Sequence, residues 1–189
     1  KQTTKETADQ IQQGIAKEIL RFHVLANSDS EEDQKLKLEV KDRLVDYMKD
    51  ILDGAEDVKE TKKRITENRE TICLVAEQEI QKQGYTYPVS VNLEKCYFPM
   101  KTYGDCTFPA GTYEALRVCI GKAKGRNWWC VLYPGLCFAD SVNVIVPDEK
   151  KQELKNILTE EEYESLFDWR EDDYQIRSGF LRLWRKLFA

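Results

Sequence analysis

The chain has 189 residues, 41% hydrophobic and 33% charged, enough to bury about 70% of the unfolded surface in one domain without staples. Its 34 acids and 29 bases are interspersed and leave a formal charge of -5, which excludes a general nucleic-acid binder built on a basic face. No apolar run approaches the roughly 18 residues that span a bilayer, and the opening KQTTKETADQ lacks a signal-peptide core, so the expectation is a cytosolic protein or one whose export segment has been removed.

Residues 1–18 are polar with scattered isoleucines and read as an N-terminal extension, either a tether or a short helix. Residues 19–26 follow as a strand. Phe22, Val24 and Ala26 alternate with Arg21, His23 and Leu25, so both faces are partly apolar and a central place in a sheet is expected. Asn27, Ser28, Asp29 and Ser30 form a turn cluster, and Ser30 stands three residues before Asp33 as a helix-opening capping box does. Leu36, Val40, Leu44, Met48 and Leu52 then recur every four residues, with Val45 and Ile51 widening the stripe of a helix over 31–52 that Gly54 stops. A second helix is predicted over 58–82, with Ile65, Ile72, Val75, Ala76 and Ile80 on one face and Gly84 at its end.

From Pro88 the period changes to two. Val89, Val91 and Leu93 alternate with Ser90, Asn92 and Glu94 as a half-buried strand. A long loop over 98–111 leads to a strand at 112–120, and a Gly121–Gly125 connection leads to another at 127–133. That glycine pair is no phosphate loop, because no Gly-Lys-Ser/Thr follows and a strand comes next. From Pro147 the pattern is helical. Ile176, Phe180, Leu183, Trp184 and Leu187 share one face of a last helix, flanked by Arg177, Arg182, Arg185 and Lys186. The sum is a single α+β domain over 19–189: a small, mainly antiparallel sheet packed by two consecutive helices of the N-terminal half and by C-terminal helices.

The six cysteines, Cys73, Cys96, Cys106, Cys119, Cys130 and Cys137, include no Cys-x-x-Cys pair, and the chain has one histidine. Zinc-ribbon and zinc-finger readings therefore fail, and neither metal nor cofactor is expected. An even set without metal spacing fits disulfides of an oxidising compartment; buried free thiols are the plainer reading. Cys130–Cys137 is the favoured pair, because the Pro134-Gly135 turn brings the two backbones within bridging distance.

His23 is the one side chain whose ordinary pKa lies near neutrality. It reads either as a base or hydrogen-bond hub beside Asp29 or Asp33, or as a half-buried strand residue tied to the turn. Paired with a Cys130 thiolate it would make a cysteine-dependent hydrolase or acyl transferase of the cell envelope. A mid-strand cysteine among bulky aromatics is poorly placed for that, and a disulfide to Cys137 abolishes it, so no catalytic residue is assigned. Trp128 and Trp129 point to opposite faces, one into the core and the other free to serve as an aromatic anchor. Arg117 is set to stack on an indole or bridge to an acid. Lys101, Tyr103 and Asp105 in the long loop are expected to face solvent as recognition residues. With His23, Asn27, Ser28, Asp29 and Asp33 these form the predicted partner-binding set. The last helix either closes the sheet or lies against an anionic membrane surface or a partner's groove.

The stretches LRFHVLANSDSEEDQ (20–34) and NWWCVLYPGLCF (127–138) are joined by Tyr97-Phe98-Pro99, Lys101-Thr102-Tyr103-Gly104 and Phe108-Pro109-Ala110-Gly111-x-Tyr113-x-Ala115-Leu116-Arg117. Together they resemble the stage II sporulation protein R (SpoIIR) family of endospore-forming bacteria, over 19–140 and more loosely to the end. The family typically has Pro-Pro-Leu-Cys where this chain has Pro134-Gly135-Leu136-Cys137, and Cys73 and Cys106 match none of its motifs. The resemblance implies a secreted signalling protein, made in the forespore and acting in the space between forespore and mother cell. Its implied partner is a membrane-embedded aspartic-type protease (SpoIIGA), which it triggers to cleave pro-sigma-E. The family's hydrophobic export segment is missing here, as expected of a trimmed or mature form.

Overall fold

The computed structural model describes residues 2–138 and 145–168. Helix α1 (Gln2–Glu18) leads into strand β1 (Leu20–Leu25), and helix α2 (Glu31–Leu52) follows. The start of α2 is written in the sequence: the Ser30 hydroxyl accepts from the Asp33 amide at 3.2 Å, and Glu31, Glu32 and Asp33 fill the first turn, where acids complement the helix dipole. Its stripe is the expected one, with Leu36, Val40, Leu44 and Met48 all buried.

The second predicted helix is two, α3 (Val58–Glu67) and α4 (Arg69–Lys82). Asn68 breaks it. Its side-chain amide turns back onto the Arg64 carbonyl at 2.8 Å, and its backbone leaves the helical region at φ -101, ψ 8, the usual competition of asparagine with helix. Periodicity is blind to the break because Ile65 and Ile72, on either side of it, are both buried in the same core.

Strand β2 (Val89–Phe98) comes next, and then the expected loop carries a hairpin of its own, β3 (Lys101–Tyr103) and β4 (Cys106–Phe108). Three-residue strands are too short to leave an alternating signature. Gly104 makes the hairpin turn at φ 57, and a Cβ there would meet the Val146 amide at 2.8 Å. Strands β5 (Gly111–Ile120) and β6 (Asn127–Tyr133) complete a sheet in the order β2-β5-β1-β6. β5 pairs parallel with β1, while β1–β6 and β2–β5 are antiparallel. The single parallel pair needs a long crossover, which α2 to α4 and β2 supply. β1 is interior, as its two apolar faces predict, and all six of its residues are buried.

The sheet has a core on each face. On one, Phe22, Val24, Leu116 and Val118 pack against α2, α3 and α4. On the other, Phe98, Phe108, Tyr113 and Val131 meet Ile15 of α1, Leu154 of α5 (Asp148–Ile157) and Leu166 of α6 (Glu160–Asp168). Residues 1–18, read from the sequence as an extension, thus send a fully buried isoleucine into the second core. The predicted last helix with its Ile176–Leu187 stripe lies outside the described residues. No helix among the described residues is long and apolar enough to cross a membrane.

Candidate functional site

The turn after β1 is a hydrogen-bonded knot. The buried Asp33 carboxylate accepts from Asn27 Nδ2 at 2.8 Å and Ser28 Oγ at 2.5 Å. Asn27 Oδ1 accepts from the Lys122 amide at 2.9 Å, and Asp29 Oδ1 from the Arg126 amide at 2.7 Å. Burial pushes the Asp33 carboxyl up, but the hydrogen bonds from Ser28 and Asn27 outweigh it and hold it below its ordinary range. The glycines of the β5–β6 connection permit the approach: a Cβ on Gly125 would lie 2.1 Å from the Ser28 carbonyl oxygen, and one on Gly121 (φ 57) 2.4 Å from Asn27 Oδ1. Of the predicted partner residues, Asn27 and Asp29 therefore bind the chain's own β5–β6 connection, while Ser28 and Asp33 are tied up within the turn.

His23 does not reach the surface, contrary to its place in the predicted set. It is 4% exposed, stacked on Trp129 with ring centres 5.1 Å apart and packed against Phe98 at 5.1 Å. Neither ring nitrogen has a hydrogen-bond partner among the described residues. Burial first, then the Arg117 and Arg21 charges, drive its pKa from 6.5 down to about 4, so the ring is neutral near pH 7. The charges that reach it are Arg117, Glu94 and Arg21, not Asp29 or Asp33.

Cys130 is bonded to Cys137, with Cα atoms 5.7 Å apart. The thiolate of the hydrolase reading is thereby removed. The register removes the dyad as well: His23 stands opposite Trp129 and Cys130 opposite Phe22, so imidazole and sulfur project from opposite faces of the sheet. The other four cysteines are free thiols, so the even count does not reflect three disulfides. Burial pushes the Cys106 thiol up to about 12, the character of an inert core cysteine.

Of the remaining predicted residues, Tyr103, Trp128 and Trp129 gather along β6, an edge strand of the sheet among the described residues. A groove of about 550 Å³ runs there, with Trp128, Trp129, Cys130 and Cys137 against it, Lys41, Val45 and Lys49 of α2 on one wall, and Tyr103, Gly104 and Val146 on the other. The two tryptophans do face opposite ways. Trp128 packs edge-on against Phe22 at 5.5 Å with Lys41 Nζ 5.2 Å above its ring. Trp129 lies against His23 and, at 4.8 Å, Phe98. Each is only partly buried and keeps a margin open.

Behind the groove sits Arg21, 0% exposed. Its Nε donates to the Cys130 carbonyl at 3.3 Å and its Nη2 to the Tyr103 hydroxyl at 3.0 Å, while Nη1 has no partner among the described residues. Phe98, Tyr113, Phe108 and Tyr103 surround the guanidinium at 4.4 to 5.7 Å from its carbon. Burying such a charge costs several kcal/mol. Two hydrogen bonds to it, each worth about 1.5–3 kcal/mol, and ring contacts of up to about 2 kcal/mol offset that cost without a carboxylate. Sequence reasoning missed Arg21; the signal was an arginine between Leu20 and Phe22 in a strand apolar on both faces.

Tyr103 does not face solvent as expected, because its hydroxyl turns inward to Arg21. Asp105 accepts from Lys151 Nζ at 2.5 Å and the Val146 amide at 2.9 Å, which ties the start of α5 to the hairpin. Arg117 bridges to Glu94 at 2.8 Å, the acid-pairing option. Lys101 is partly exposed at the hairpin's base. Among the described residues no cluster suited to a metal is found.

A family model described as Stage II sporulation protein R matches residues 16–143. The stage II sporulation protein R of Bacillus subtilis (strain 168) is 35% identical over 157 residues, which cover 80% of this chain and 68% of that protein. No solved structure matches. The matched span holds the β1 turn, the whole sheet and the disulfide.

Proposed function

The chain belongs to the stage II sporulation protein R family, and on that premise we propose that it is a secreted sporulation signal acting on a membrane-embedded aspartic-type protease (SpoIIGA). In this reading it meets the protease between forespore and mother cell, and contact switches on processing of pro-sigma-E. The family match over 16–143 is the observation that carries the reading. The Cys130–Cys137 bond supports an oxidising destination. Action by contact is favoured over catalysis because the candidate nucleophile is a disulfide sulfur and the only imidazole lies on the other face of the sheet.

Switching requires differential affinity. A protease about 1% active at rest reaches half activation only if the signal binds the active arrangement roughly 100-fold more tightly, about 2.7 kcal/mol. The groove along β6, with its two half-open tryptophans, is the surface assigned to that contact. The test is co-expression of the exported chain, the protease and its pro-sigma substrate in a host without sporulation genes. Cleavage should need all three. Cleavage without the chain, or none with it, would remove the proposal.

A further inference from the structure

A cavity of about 570 Å³ opens between the end of α2, its link to α3, the end of β6 and α5. Leu52, Leu132 and Pro134 are buried at its floor, with the half-buried Tyr133 and Ile157 beside them. Its charged lining is Asp53, Glu56, Glu149 and Glu153 with Lys49 and Lys150. Lys150 is committed to Glu153, 2.7 and 2.9 Å from the two carboxylate oxygens. Among the described residues that line the cavity, this leaves the exposed Asp53, Glu56 and Glu149 against Lys49. More acids converge on the same end of the molecule: after burial, the charges of Asp57, Glu153 and Glu18 push the Tyr133 hydroxyl up. Of its described lining, only Lys49 is shared with the groove along β6, and Phe138 and Ile145, which flank residues 139–144, do not line it. An apolar floor under an acidic rim complements a chain segment with an apolar side chain between lysines or arginines. The apolar group leaves water on the floor, and the stems of the flanking bases lie across the rim with their charged heads on the carboxylates. Lipid headgroups of negative charge and nucleic acids are repelled by the same rim.

We infer that this cavity docks a segment of a partner protein in which an apolar side chain stands between basic residues. It is a second contact, beyond the one assigned to the groove along β6, and does not require that reading.

The probe is a phage-displayed random heptapeptide library selected on the intact, oxidised chain. Enriched peptides should share an apolar position with lysine or arginine on both sides, and synthetic versions should protect the backbone amides of 53–56 from hydrogen exchange. Replacing the peptide's apolar residue by serine should weaken binding about tenfold or more, and replacing its bases by glutamine about fivefold. The double variant Asp53→Asn, Glu149→Gln alters two exposed side chains and should weaken the unaltered peptide about fivefold as well. Glu70→Gln, at an exposed acid of α4, should leave binding unchanged. The peptide comparisons use the unaltered protein, so they hold even if the double variant is poorly folded. Selected peptides without the basic–apolar–basic pattern, unchanged affinity in the double variant, an equal loss in Glu70→Gln, or protection elsewhere would overturn the inference. A synthetic peptide of residues 181–187, LRLWRKL, tests the other occupant. If it binds more tightly than every selected peptide, the cavity belongs to the chain's own C-terminal stretch and the partner segment falls.

Discussion

Acidification should destabilise this protein well above the range where most carboxylates titrate, and His23 is the reason. Its folded pKa of about 4 lies below the unfolded value of 6.5, so between those values the unfolded chain binds the extra proton. The stability this contributes is fully present above pH 6.5 and is lost progressively as pH falls toward 4. The whole difference corresponds to about 3 kcal/mol, and integrating from pH 7 to 5 gives about 2 kcal/mol of it. The size is physically reasonable, because protonating a 4% exposed ring between Trp129 and Phe98 places a charge where neither nitrogen has an acceptor among the described residues. The assay is urea unfolding at pH 7 and pH 5, followed by tryptophan fluorescence. His23→Phe is the control: it keeps an aromatic in the stack and removes two unsatisfied nitrogens. It should be at least as stable as the parent at pH 7 and lose less than about 0.5 kcal/mol on going to pH 5. An equal pH 5 loss in parent and variant would refute the reasoning.

Thiol counting on unreduced, denatured protein should find the four free cysteines Cys73, Cys96, Cys106 and Cys119; alkylation at Cys130 would reopen the hydrolase reading. Reduction of the bond, or Cys130→Ser, should cost about 2 kcal/mol from the short loop it closes, seen as a lower urea midpoint. Gly125→Ala puts a Cβ 2.1 Å from the Ser28 carbonyl oxygen and should destabilise by about 1–3 kcal/mol; an unchanged Tm would show that the turn does not hold the β5–β6 connection as described. Asp33→Ala leaves the Asn27 and Ser28 donors without their shared acceptor and should cost about 1–3 kcal/mol, read in the same melts. Flotation with anionic liposomes, with and without residues 174–189, checks the membrane contact expected of the last helix, and equal recovery would remove it.

Local pattern was enough for the elements whose burial is decided by their own periodicity. The α2 stripe, its Ser30 cap, the alternation of β2 and the opposed tryptophans of β6 all stand in the structure as read. The Cys130–Cys137 pairing was accessible too, because a seven-residue separation across a turn is a local constraint. The family was legible because its motifs fall in three separated stretches in one order. Tertiary structure alone decided what the polar residues among those elements do. His23 and Arg21 belong to the same strand and to the same face, yet one is an uncharged packing residue and the other a buried cation. Nothing within β1 distinguishes them. Their surroundings come from Phe98, Tyr103, Tyr113 and Trp129, residues distant in sequence, and the fate of a buried polar group depends on which partners those elements bring to it.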